Sequence, residues 1–122
     1  MRQMLFVDGN AIHRMYTKMV LNLMKIEVDT AAETSVAIDL IQKGSYSLIL
    51  LDLDELGLNG FEVARTIRKK DPTIPIIGIT DVADVNIMFK ALQYGMNTCI
   101  PRTDMLETLS FYAKGPMEKN VA

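Results

Sequence analysis

Short apolar runs alternate with amphipathic stretches along most of the chain. The strongest run, Leu48-Ile49-Leu50-Leu51, passes straight into Asp52 and then into a loop carrying Gly57, Asn59 and Gly60. A continuous apolar run bounded by turn residues reads as a strand buried on both faces. Met4-Leu5-Phe6-Val7 repeats the pattern and ends at Asp8, Gly9 and Asn10. The run from Ile74 to Ile79 repeats it again and leads into Thr80-Asp81. Thr98-Cys99-Ile100 is a last short strand before Pro101-Arg102, and the alternating segment Glu27 to Ala31 reads as a peripheral one.

Between these runs the period becomes helical. Ile12, Met15, Tyr16, Met19, Val20 and Leu23 predict a first helix with one apolar face. A second helix, from about Ala32 to Lys43, carries Val36, Ile38, Leu40 and Ile41 and stops at Gly44. Phe61, Val63, Ala64 and Ile67 give a third, after Gly60. Its Arg68-Lys69-Lys70 end suits the helix dipole, and Pro72 prevents its extension. Val85, Met88, Phe89 and Leu92 face one way on a fourth, which ends at Gly95. Met105, Leu106, Leu109 and Tyr112 form a fifth, broken by Gly115-Pro116. The domain is expected to span residues 1–116, with 117–122 a frayed tail or the start of a linker.

Strands alternating with helices predict a parallel sheet covered on both faces, and right-handed crossovers make it doubly wound. The carboxyl ends of parallel strands share one edge, where open α/β sheets hold their ligands. Asp52 taken alone is as easily a strand cap as a functional group. Asp8, Asp52, Thr80 and Arg102 taken together, each at or just after a strand end, converge on one pocket.

Composition sets the limits around that pocket. With 122 residues and 49% apolar content the chain fits one domain with one core. A net charge of −2, with acids and bases interspersed, gives no nucleic-acid footprint. No apolar run approaches the roughly 18 residues of a membrane span. The N-terminus shows no signal-peptide pattern, so a cytoplasmic domain off the membrane is expected. Cys99 and His13 are the only residues of their types, which excludes an internal disulfide and a multi-Cys/His zinc site. Cys99 reads as a small core residue, and the methionines, Met15, Met19 and Met88 among them, as helix core. Lys69-Lys70 reads as a solvated helix end.

Over residues 3 to about 114 the chain resembles the receiver domain of two-component response regulators. The resemblance rests on an ordered set of fragments: Phe6-Val7-Asp8, Leu50-Leu51-Asp52, Gly57-Leu58-Asn59-Gly60-Phe61-Glu62-Val63-Ala64-Arg65, Pro75-Ile76-Ile77-Gly78-Ile79-Thr80, Gly95-Met96 and Pro101-Arg102. It implies a flavodoxin-like (βα)5 sandwich with sheet order 2-1-3-4-5, and a phosphorelay signalling module, not an enzyme. By the resemblance, Asp52 accepts a phosphoryl group from a histidine kinase or phosphotransfer protein. Such a transfer needs positive charge and donors around the moving oxygens. Thr80 matches the switch hydroxyl that moves toward the phosphoryl, and Arg102 stands where the family has a lysine. Asp8, Asp52 and the backbone carbonyl of residue 54, here Asp54, match the positions that hold magnesium, an ion that takes oxygen ligands in near-octahedral geometry. The last strand and helices match the face used for homodimers or docking. There Tyr94, Phe111 and Tyr112 either anchor a partner or finish the local core.

The departures from the family pattern are specific. Gly9 stands in place of the second acid, a direct metal ligand, so magnesium binding is expected to weaken unless Asp54 swings into the gap. Asp81 replaces a small residue, Cys99 an aromatic, Thr103 a proline and Leu56 another proline. They leave a degenerate receiver, working by protein contact without phosphorylation, as the alternative reading. The rival from another class is a small flavodoxin-like cofactor binder, which lacks a glycine-rich phosphate loop after Asp8-Gly9-Asn10. His13 reads as solvated on the polar side of the first helix, with a kinase-docking role the alternative.

Overall fold

The computed structural model describes residues 3–54, 59–82 and 84–111. Strands and helices alternate: β1 (Gln3–Val7), α1 (Ala11–Leu23), β2 (Glu27–Ala31), α2 (Thr34–Lys43), β3 (Leu48–Asp52), α3 (Gly60–Lys70), β4 (Ile76–Thr80), α4 (Val85–Gln93) and β5 (Thr98–Pro101). A 3₁₀ turn, Arg102–Asp104, then opens a last helical stretch, α5, over residues 105–111. Tyr112, the Gly115-Pro116 break and the tail lie outside the described residues, as do Leu56, Gly57 and Leu58.

All four strand pairings are parallel, and the sheet order is β2-β1-β3-β4-β5, as the resemblance implied. The register pairs Val7 with Leu51, Asp52 with Ile79 and Thr80 with Pro101, so the strand ends carrying Asp8, Asp52 and Thr80 finish level. β3 is buried at every position and lies between β1 and β4, in the middle of the sheet. Its alternate residues feed two cores. Ile49 and Leu51 join Leu5, Val7 and Ile76 against Ala37, Ile41, Val63, Ala64 and Ile67 of α2 and α3. Leu48 and Leu50 join Met4, Phe6, Ile77 and Ile79 against Leu21 of α1 and Met105 and Leu109 of α5. Each fully buried aliphatic side chain is worth roughly 1.5–3 kcal/mol over leaving it in water. β3 therefore anchors both layers and fixes where Asp52 emerges.

Two helices present the other face from the one their apolar pattern predicts. On α1 the sheet takes Thr17 and Leu21, while Ile12, Met15, Tyr16, Met19 and Leu23 point to solvent, with Leu23 78% exposed. On α4 it takes Ala91 with half-buried Ile87, and Val85, Met88, Phe89 and Leu92 are exposed. Both stripes on each helix obey helical spacing, so periodicity alone does not say which one the sheet receives. Small or single residues suffice against a sheet surface that already supplies large aliphatics. The same rotation puts Met15, Met19 and Met88 outside the core, while Met4, Met96 and Met105 are inside it. Lys70 likewise departs from a freely solvated end, since its ammonium donates to the Ile41 carbonyl.

α3 and α4 are joined by aromatic and cationic contacts. The Phe61 and Tyr94 rings meet edge to face with centroids 5.4 Å apart. The Arg65 guanidinium lies 4.3 Å from the Tyr94 centroid, and the Lys90 ammonium 4.3 Å from that of Phe61. Tyr94 thus belongs to this local cluster, whereas Phe111 is 67% exposed.

Candidate functional site

The carboxyl edge of the sheet gathers Asp8, Asp52 and Thr80, all buried, with Arg102 reaching over them from the end of β5. Local chemistry fixes each. After β1, Asp8 Oδ1 accepts from the Asn10 amide at 2.8 Å, and Asn10 caps α1 by accepting from the amides of Ile12 and His13. After β3, Asp52 Oδ1 accepts from the Asp54 amide at 3.3 Å. A Cβ on Gly60 would lie 2.7 Å from the Asp52 carbonyl oxygen, so only glycine lets the start of α3 pass this close to the Asp52 backbone.

Arg102 is the hub. Its Nη2 donates to Asp52 Oδ1 at 2.6 Å, and its Nη1 to Asp8 Oδ2 at 3.3 Å. The same guanidinium stands 3.7 Å from Asp54 and 3.5 Å from Asp81. His13 adds a second contact to Asp8, its Nδ1 3.0 Å from Oδ2. Arg14 donates to the Asp8 carbonyl at 2.9 Å. Asp54 turns the other way, toward β4. It accepts the Thr80 hydroxyl at 2.5 Å on Oδ1 and the Asp81 amide at 2.6 Å on Oδ2. Asp52 Oδ2 is buried and has no hydrogen-bond partner among the described residues.

The titration of these groups follows their surroundings. Burial pushes the Asp52 carboxyl up, the Arg102 hydrogen bond pulls it down, and the Asp8 charge pushes it up again; the net direction is upward. Burial pulls Arg102 down, but its bond to Asp52 and the charges of Asp52, Asp8 and Asp81 prevail and push it up. Burial also raises the Cys99 thiol, with Asp54 adding to it, as suits a core cysteine and not a nucleophile.

Of the residues the sequence assigned, Asp8, Asp52, Thr80 and Arg102 meet here. Asp54 is present but is bonded to Thr80 and Asp81, not grouped with Asp8 and Asp52 into an acidic trio. His13 was expected in solvent and instead stands on Asp8. The signal for it was available: it lies three residues past the Asn10 cap, and side chains in a first turn lean back toward the strand end.

The residues do not fit magnesium as they stand. Asp8 spends both oxygens on Asn10, His13 and Arg102, Gly9 offers no ligand, and the guanidinium spans the carboxylates. Among the described residues no group of three or more His, Cys, Asp or Glu is arranged to hold a metal ion. No described helix is long and apolar enough to cross a membrane.

Comparison with known proteins agrees with this architecture. The family model for the response regulator receiver domain matches residues 4–110. The Sensor protein EvgS of Escherichia coli K12 is 31% identical over 105 residues, covering 86% of this chain and 9% of that protein. The Sensor histidine kinase RcsC of the same strain is 26% identical over 114 residues, covering 90% of this chain. The chain spans about a tenth of the length of these relatives, 9% and 12%. Among solved structures, the response regulator TrrA of Thermotoga maritima, described in complex with Mg2+ and BeF, is 28% identical with a TM-score of 0.77 over 93% of this chain and 99% of that one. A CheY-like receiver domain from Methanospirillum hungatei shares the fold at a TM-score of 0.83 and 22% identity, covering 98% of both chains. The chain belongs to the response regulator receiver domain family.

Proposed function

We propose that this receiver takes a phosphoryl group on Asp52 from a phosphohistidine of a histidine kinase or phosphotransfer partner, and signals through its surface. One observation carries the reading. Asp52 presents one carboxylate oxygen, Oδ2, with no partner among the described residues, while Oδ1 is held by Arg102 at 2.6 Å. In the transfer, Oδ2 attacks phosphorus, the P–N bond breaks and its electron pair stays on the departing imidazole. Arg102 supplies the positive charge beside the oxygens, and Thr80 Oγ1–H and the Asp81 N–H, bonded to Asp54 before transfer, are the nearby donors. Because Asp52 is fully buried, the donor reaches it only after groups over the site move; Arg102, at 19% side-chain exposure, is one of them.

Magnesium, the family's expected ion, has to compete with Arg102 for Asp8 and Asp52, so its binding is weak here. The domain is a signalling module working in the cytoplasm, and family membership displaces the cofactor-binder alternative. The exposed stripe of α1 runs beside the site, with Ile12 and Tyr16 bordering a groove next to Arg102. It offers the partner an apolar landing face, and His13 lies at its edge. The exposed α4 stripe of Val85, Met88, Phe89 and Leu92 supports a homodimer through the last strand and helices. The second reading, a receiver working by contact alone, is favoured by Arg102, a built-in cation that both acids already share.

Intact mass after incubation with acetyl phosphate and magnesium tests the choice. Gain of one phosphoryl group by the wild type, absent in Asp52→Asn, is the expected result. No gain by folded wild type leaves the contact-only reading.

A further inference from the structure

The Asp54 carboxylate sits on the donors at the end of β4. Its two oxygens take the Thr80 hydroxyl at 2.5 Å and the Asp81 amide at 2.6 Å, and Arg102 Nη2 stands 3.7 Å away. These are a hydroxyl, a backbone N–H and a guanidinium around one oxyanion, the donor set that an incoming phosphoryl group on Asp52 needs. Asp54 is tied to Asp52 through its own amide, 3.3 Å from Oδ1, so its side chain starts beside the acceptor. Thr80 is 2% exposed, and its oxygen also accepts from the Val82 amide at 3.0 Å, which orients its single proton toward Asp54. A hydroxyl has one proton to give. While Asp54 holds it, no phosphoryl oxygen can.

We propose that Asp54 is an internal competitor for the phosphoryl group, a resident anion that occupies the Thr80 and Asp81 donors and has to be displaced before they can serve Asp52. The inference rests on the phosphoacceptor reading of Asp52. Two consequences follow. Phosphoryl uptake is slower than the geometry of Asp52 and Arg102 alone allows, because a charge-assisted pair of hydrogen bonds is broken on the way. The Thr80 hydroxyl is also already drawn to an anion before phosphorylation, so little movement is left for it to pass to β5. Asp54 is therefore a positioning residue, acting through Thr80 and Asp81.

The test is Asp54→Ala, with Asp54→Asn keeping the shape without the charge, in the full chain. Amide spectra report the contact without any phosphodonor: the Asp81 proton, expected far downfield in the wild type from its 2.6 Å bond to Asp54, should move upfield in both variants while the remaining dispersion persists. Mass gain from acetyl phosphate should then run at least about tenfold faster in Asp54→Ala, the worth of one charge-assisted bond at the least, and faster to a smaller degree in Asp54→Asn, whose amide oxygen still accepts. An unmoved Asp81 resonance overturns the proposal, and so does uptake that is unchanged or slower in the variants; slower uptake is what a metal ligand at Asp54 would give. Uptake by neither the wild type nor the variants contradicts the acceptor role of Asp52 itself and takes the competition down with it.

Discussion

Asp52 sits in a buried place with Arg102 as the main group favouring its charged form. Its folded pKa lies above the ordinary carboxylate value, first through burial and then through Asp8. Across the interval between the unfolded and folded values, the native state binds more protons than the unfolded one. Stability from this group therefore falls as pH rises through the range just above the usual Asp pKa. Urea midpoints of wild type and Asp52→Asn, compared across that range, should show the downward slope in the wild type and its loss in the variant; parallel curves would contradict the assignment. Arg102 can be tested through magnesium, the ion proposed to compete with it. Arg102→Ala removes the cation that Asp8 and Asp52 share, so magnesium affinity should rise by about tenfold or more, given repulsion near 4 kcal/mol for unit charges about 4 Å apart at an effective dielectric of 20. A magnesium titration with no gain would show that Gly9, not Arg102, is what limits the site. At this scale the sequence was most legible where a strand end forces position, as with Asp8, Asp52 and Thr80. It was least legible at Asp54, whose partners depend on the path of the chain after β3 and on a side-chain rotamer.

Helix faces were harder to read than helix positions. The spacing placed α1 and α4 within a residue or two, yet assigned the wrong stripe to the sheet in both, since each helix carries an apolar stripe beyond the one it buries. The burial pattern gives a direct contrast on α1. Leu21→Ala, at a fully buried position, should cost about 2–5 kcal/mol in urea denaturation. Met19→Glu, at a position 55% exposed, should stay within about 0.5 kcal/mol. Equal losses would mean that the stripe is core after all. The α3–α4 connection to β5 has its own sensitive point. Gly95 sits at φ 99°, and a Cβ there would run into the Arg68 side chain, which donates to the Gly95 carbonyl at 2.6 Å. Gly95→Ala should lower stability by about 1–3 kcal/mol, read from the same denaturation curves; an unchanged midpoint would show that the turn relaxes freely. The glycine was legible as a helix stop, but its clash with Arg68 depends on a contact across the fold.

At the scale of the whole molecule, the alternation of buried runs and amphipathic stretches was enough to give a doubly wound parallel sheet, and parallel strands bring scattered polar residues to one edge. The strand order itself came through the family resemblance, and the sheet pairs strands in that order. The local rules cannot show how the edge is balanced: an arginine between two buried acids, and a third acid on the hydroxyl and amide of β4's end. That balance frames the central claim, that Asp52 is the acceptor despite the crowding. Borohydride reduces an acyl phosphate to an alcohol, so trapping after acetyl phosphate treatment, followed by peptide mapping, marks the acceptor itself. Homoserine in place of Asp52 and nowhere else is the expected result; an unmodified Asp52 in folded protein, or a mark at Asp8 or Asp54, would contradict the acceptor role.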